Sequence, residues 1–200
     1  MLGIGGGWQL NEHEHYGLPL GSPKERSDRL AEACEVITGL LNQERTTFIG
    51  DYYQVVDAPC EPKPVQDRLP LMVGGGGEQR TLATVARFAD EWNTWGPPAH
   101  LANKIEVLTR RCDEVGRDVG EIRKSACSML RICEDETESA RQRDRLGVRG
   151  GLVGTPDELR ETIEAYRSVG IDELVIPDFG TDFDTRKPIF ERFSDQIFEG

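Results

Sequence analysis

The sequence predicts an α/β fold, a parallel sheet covered by helices. Three observations carry the prediction. Short apolar runs of strand character alternate with amphipathic runs of helical spacing along nearly all of the 200 residues. Glycine or polar residues follow several of the apolar runs directly. Two helical runs open on a hydroxyl residue and a proline, Ser22-Pro23 and Thr155-Pro156, the chemistry of an N-cap and a first helical residue. Such alternation implies βα units. Ligands in parallel α/β folds bind beyond the C-terminal ends of the strands, where these glycine loops fall.

The elements follow in order. Leu2 and Ile4 read as the tail of a buried strand, with Gly5, Gly6, Gly7 and Trp8 immediately after it. KERSDRLAEACEVITGLLN then sets Leu30, Ala33, Cys34, Ile37, Leu40 and Leu41 at helical spacing, with Ser22 as the N-cap. FIGDYYQVVDAPCEPKPVQDR, with its prolines and mixed pattern, reads as an extended excursion over the surface. LPLMV (Leu69 to Val73) is a strand ending in Gly74, Gly75, Gly76 and Gly77. A helix is expected from about Glu78, with Leu82, Val85, Ala86 and Ala89 on one face. Glu91 to Trp95 reads as a strand, and a helix from about His100 to Val115 stops at Gly116. KSACSMLRIC (Lys124 to Cys133) reads as one strand, followed by a charged helical stretch to Leu146. A helix opens at Thr155, ELVIP (Glu173 to Pro177) is a strand, and a last helix runs from about Thr185 to Phe198. That makes five strands in one domain spanning 1–200.

Composition narrows the partners. Aspartate and glutamate outnumber lysine and arginine 36 to 24, which argues against nucleic acid or an anionic membrane, since both need a basic footprint. An anionic cofactor is still allowed, because glycine loops and helix N-termini hold phosphate through backbone N–H groups. The apolar runs are too short to span a bilayer, and the N-terminus lacks the pattern of a signal peptide. The five cysteines form no CxxC pair and read as reduced thiols of a cytoplasmic protein.

The glycines at 74–77 have two readings: a phosphate cradle ahead of a helix N-terminus, or a flexible turn that binds nothing. The second glycine loop at 5–7 favours the cradle. Neither stretch is GxGxxG, so a Rossmann site is disfavoured. Glu12-His13-Glu14-His15 alternates histidine with carboxylate, but metal ligands on one helical face need spacings of three or four. A solvated loop is expected there, and no metal. Trp8, Trp92 and Trp95 sit at or near strand ends, either as packing or as a wall for a planar ring. Asn93 is expected to point to the opposite face from both neighbouring tryptophans and to reach a ligand. No catalytic residue stands out.

The chain resembles the luciferase-like oxidoreductases, the bacterial-luciferase superfamily. The matching stretches are LGIGGGW, EHEHYGLPL, KERSDRLAEACEVI, FIGDYYQV, LPLMVGGGGEQRTLATVARFADEWN, GRDVGEI, VGTPDEL and VGIDELVIPDF, in that order. The resemblance implies a (β/α)8 TIM barrel of which this chain supplies strands four to eight, a partial barrel lacking the first three βα units. It implies a cofactor phosphate cradled by Gly74, Gly75, Gly76, Gly77 and Glu78, with Gly5, Gly6, Gly7 and Trp8 lining the same mouth and Asn93 nearby. It also implies coenzyme F420, or FMN as the alternative, serving hydride transfer or oxygen activation on a small organic substrate.

A barrel of this type takes about 250 residues, and an open arc would bare two strand edges. The sequence therefore leads one to expect an oligomer, or completion by a missing N-terminal segment. A non-catalytic half-barrel is the alternative of a different class.

Overall fold

Residues 1–177 and 182–198 are described in the computed structural model. They fall into two units, Met1–Asn93 with Val107–Arg123, and Thr94–Glu106 with Lys124–Gly200. Among the described residues there are nine strands and seven α-helices, all of them in an α/β order.

The first unit is built on strands β1 (Leu2–Gly5), β4 (Leu71–Gly74) and β5 (Glu91–Trp95), the last of which reaches into the second unit. They run parallel, with β4 in the middle: Gly5 lies opposite Gly74, and Gly74 opposite Asn93. The strand ends carrying the glycines are therefore side by side. Leu71 and Val73 of β4 are buried, as expected for a strand covered on its face. Leu2 is the exception to the sequence reading. It is 36% exposed, because β1 pairs with β4 along one edge and no other described strand pairs with it.

A short helix α1 (Leu10–His15) stands where a loop was expected. Helix α2 (Pro23–Asn42) starts as the sequence predicts. The Ser22 hydroxyl accepts from the Glu25 N–H, and the Glu25 carboxylate accepts from the Ser22 N–H at 2.7 Å. This reciprocal cap stabilises a helix by about 1 kcal/mol. Leu30 and Cys34 are buried along α2, and burial pushes the Cys34 thiol up to about 12. All five cysteines are free.

The surface excursion is an antiparallel hairpin of β2 (Thr46–Ile49) and β3 (Gln54–Ala58). Helix α3 (Thr81–Phe88) buries Leu82, Val85 and Ala86. It begins three residues later than the glycine run suggested, since Glu78–Arg80 form a turn. Helix α4 (Pro98–Val115) contributes to both units.

In the second unit, the expected single strand over 124–133 is two, β6 (Arg123–Cys127) and β7 (Leu130–Ile132). The chain changes partner between them. β6 pairs in parallel with β9 (Glu173–Val175), and β7 pairs in parallel with β8 (Leu152–Gly154). At the break the Ser128 N–H donates to Val175 and the Met129 N–H to Arg149. The Ser128 hydroxyl accepts from the Leu152 N–H at 2.6 Å. Strand β8 has three residues and was not read from the sequence; β9 stops at Val175, short of the expected Pro177.

Helices α5 (Glu136–Leu146), α6 (Pro156–Ser168) and α7 (Phe183–Ile197) complete this unit. Its core gathers Leu101, Leu130, Leu152, Leu159, Tyr166 and Phe193 among others. Thr155 caps α6 in the same reciprocal way as Ser22 caps α2. Asp178 and Phe179, which end the family-like stretch VGIDELVIPDF, lie outside the described residues.

Candidate functional site

The two glycine turns leave β1 and β4 at matched register, from the adjacent residues Gly5 and Gly74. Gly5, Gly6 and Gly7 line a cleft of about 250 Å³ with His13 from α1, Arg26, Arg29 and Leu30 from α2, and Tyr53 from the hairpin. One Arg26 guanidinium nitrogen donates to the Gly7 carbonyl at 3.2 Å. The Arg29 guanidinium stands 5.2 Å from the centroid of the Tyr52 ring, a cation–π contact. The Nδ1 atom of His13 is buried and has no hydrogen-bond partner. A buried polar atom without a partner costs free energy, and here it borders a cleft holding two guanidinium groups. In a chain of net charge −12, this cleft is lined by two cationic side chains and by no carboxylate.

The second turn is fixed from several sides. Gly75 has φ of +131°, backbone that a side chain would strain. Its N–H donates to the Asn93 carbonyl at 2.9 Å, and its carbonyl accepts from the Trp92 indole N–H at 2.7 Å. The Gly77 carbonyl accepts from the Leu82 N–H at 2.9 Å, and the Glu78 carbonyl from Arg111 at 3.3 Å. Arg80 bonds Asp28 of α2. Lys24 also donates to Asp28, and these two cations hold its carboxyl below the usual carboxylate range, the Lys24 hydrogen bond foremost.

The structure thus brings Gly5, Gly74 and Asn93 together at adjacent strand positions, with Gly75 bonded to Asn93, whereas Gly6 and Gly7 line the cleft and Gly75, Gly76 and Gly77 do not. Glu78 lies in the exposed turn behind them. Trp8 is 71% exposed; it follows the loop without being enclosed by it. Trp92 is fully buried and supports the turn from beneath, so it is no wall for a ring. Asn93 was expected to oppose both tryptophans. Strand alternation instead puts it on the face of Trp95 and opposite Trp92 alone.

Arg26, Arg29 and Tyr53 line the cleft although no sequence motif marks them, and His13 lines it from helix α1 rather than from a solvated loop. The spacing of three between the arginines sets them on one side of α2, a signal that was present but unspecific. Among the described residues no cluster of metal-ligating side chains occurs, and no helix is long and apolar enough to cross a membrane.

Comparison with known proteins gives the family and the fold. An F420-dependent glucose-6-phosphate dehydrogenase of Segniliparus rotundus is 29% identical over 96% of this chain and 67% of its own length. An FMNH2-dependent dimethylsulfone monooxygenase of Pseudomonas putida is 23% identical over 84% of this chain and 58% of its own. Among solved structures, an F420-dependent secondary alcohol dehydrogenase in complex with an F420-acetone adduct superposes with a TM-score of 0.75. That match has 19% identity, over 98% of this chain and 68% of the other, and establishes the fold. The chain spans about half the length of several curated relatives it matches, 56% in the case of a Mycobacterium tuberculosis protein. The family model for luciferase-like monooxygenases matches residues 1–145, and the chain belongs to that family.

Proposed function

We propose that the chain serves a flavin- or deazaflavin-dependent oxidoreductase, with coenzyme F420 as the cofactor and FMN as the second choice. The observation that carries the proposal is the cleft in which the 5–7 glycine turn meets Arg26, Arg29 and His13 with its unpartnered nitrogen, next to the matched strand end at Gly74 from which the second glycine turn departs. The residues fit a phosphate-bearing cofactor. Backbone N–H groups of the 74–77 turn would hold its phosphate, and the guanidinium groups of the cleft would offset its charge. His13 Nδ1 would gain the partner it lacks. Asn93, at the end of the central ladder, would orient the bound group by hydrogen bond.

When bound, a deazaflavin supplies two-electron hydride transfer and a reduced flavin supplies oxygen activation. Four similar proteins are F420-dependent dehydrogenases and one is an FMNH2-dependent monooxygenase, which favours F420. The substrate is taken to be a small organic molecule.

Equilibrium titration followed by cofactor fluorescence tests the proposal. Saturable binding of F420, tighter than that of FMN, is expected. Arg29→Ala should weaken it about tenfold, the scale of one charge-assisted hydrogen bond. Absence of saturable binding by either cofactor would defeat the proposal.

A further inference from the structure

Trp92 is the fully buried residue of β5 whose indole nitrogen donates to the carbonyl of Gly75 at 2.7 Å. A peptide unit is planar and trans, so its C=O and the following N–H point in opposite directions. Fixing the Gly75 carbonyl towards the indole therefore turns the Gly76 N–H away from the buried side. The preceding N–H is also committed, since Gly75 donates to the Asn93 carbonyl at 2.9 Å. Among the described residues the Gly76 N–H has no protein acceptor, although Gly76 is half-buried. Two adjacent residues of one strand, Trp92 and Asn93, thus occupy both polar groups of Gly75 and leave the next donor facing outwards.

We infer that Trp92 is a positioning residue for anion binding: its indole N–H sets the orientation of the Gly75–Gly76 peptide, so that Gly76 presents its N–H to a phosphate. The inference rests on the phosphate reading of the turn and deepens it. It also explains a tryptophan where a phenylalanine would fill the interior with no donor to satisfy. Glycine at 75 makes the peptide free to rotate, and the indole selects one orientation.

The test compares F420 with its phosphate-free deazaflavin chromophore, binding being read by fluorescence. Trp92→Phe removes the donor. A second variant carries benzothienylalanine at position 92, which keeps the shape of the indole and replaces N–H by sulfur. This guards against a loss of folding. The expected result in both variants is F420 affinity about five- to tenfold weaker, the scale of one hydrogen bond, with affinity for the phosphate-free chromophore unchanged. The Gly76 amide should also exchange with solvent in the variants without the protection that F420 confers on it in the wild type.

Unchanged F420 affinity in the benzothienyl variant overturns the inference. So does an equal loss for both ligands, which marks a packing role only. Wild-type protein that binds F420 no better than the phosphate-free chromophore overturns the phosphate reading itself, and the inference with it.

Discussion

At the scale of single residues, close approach decides more than sequence pattern can show. Gly151 precedes β8, and a Cβ there would lie 1.8 Å from the Tyr166 hydroxyl oxygen and 3.0 Å from the Ser128 hydroxyl. The Tyr166 hydroxyl is buried, donates to the Gly96 carbonyl at 2.8 Å, and is pushed up to about 12 by burial. Gly151→Ala therefore overpacks a site that has no room to relax, at about 1–3 kcal/mol. Tyr166→Phe leaves the Gly96 carbonyl without that donor, at about 1–3 kcal/mol. The double variant should be more stable than the sum of the two losses, because the removed oxygen is the atom the new methyl group would strike. Rescue should be partial, since the ring carbon carrying the hydroxyl also lies 3.0 Å away. Urea denaturation of the four proteins measures this coupling, and strict additivity would contradict it. None of this was legible in the sequence. Gly151 and Tyr166 are local to different elements, and nothing in either stretch announces the other.

At the scale of elements, the hairpin shows how one side chain fixes a segment. The carboxylate of Glu32 on α2 accepts the backbone N–H groups of Asp51, Tyr52 and Tyr53 at 2.9, 2.9 and 3.0 Å. Burial alone would raise its pKa, but the three donors outweigh it and the net shift is downwards. Tyr53 is thereby held where it borders the cleft. Glu32→Gln keeps one acceptor oxygen and turns an amide N–H₂ towards donors, so the turn between β2 and β3 should open. Amide exchange at residues 51–53 should quicken about tenfold, while exchange within β4 stays unchanged. Equal rates in variant and wild type would show that the hairpin needs no such anchor.

The elements themselves were unevenly legible. Ser22-Pro23 and Thr155-Pro156 marked their helices correctly because a cap is a local device. The run from Lys124 to Cys133 misled because its break at Ser128 follows a change of partner strand, which is a non-local event. The glycine turns of the site were readable as turns. The cleft was not, since Gly7, His13, Arg26 and Tyr53 come together only through the packing of α2 against the strand and hairpin.

At the scale of the whole molecule, charge sets the pH response. Two effects oppose one another as pH falls from neutrality. The net charge of −12 shrinks towards zero near the sequence pI of about 4.8, which relieves self-repulsion. Glu25, Asp28, Glu32, Glu158 and Asp182 all have pKa values lowered in the folded state. A group with a lowered folded pKa stabilises the fold above its unfolded value, and that stabilisation is lost as pH falls through the folded value. For these groups the unfolded values are 4.5 for glutamate and 3.8 for aspartate. The two effects overlap but peak in order. Relief of repulsion leads as protons are taken up towards about pH 4.8, and the loss of the stabilised carboxylates dominates below about pH 4.5, where their unfolded counterparts are mostly protonated. Thermal midpoints should stay level or rise slightly from pH 7.5 to about 5, then fall steeply below 4.5. In Glu32→Gln the midpoint should be lower at neutral pH and its acid fall shallower, because one of the titrating groups is gone. A midpoint that falls steadily from pH 7.5, or an acid limb of the same steepness in the variant, would show that these carboxylates do not govern acid stability.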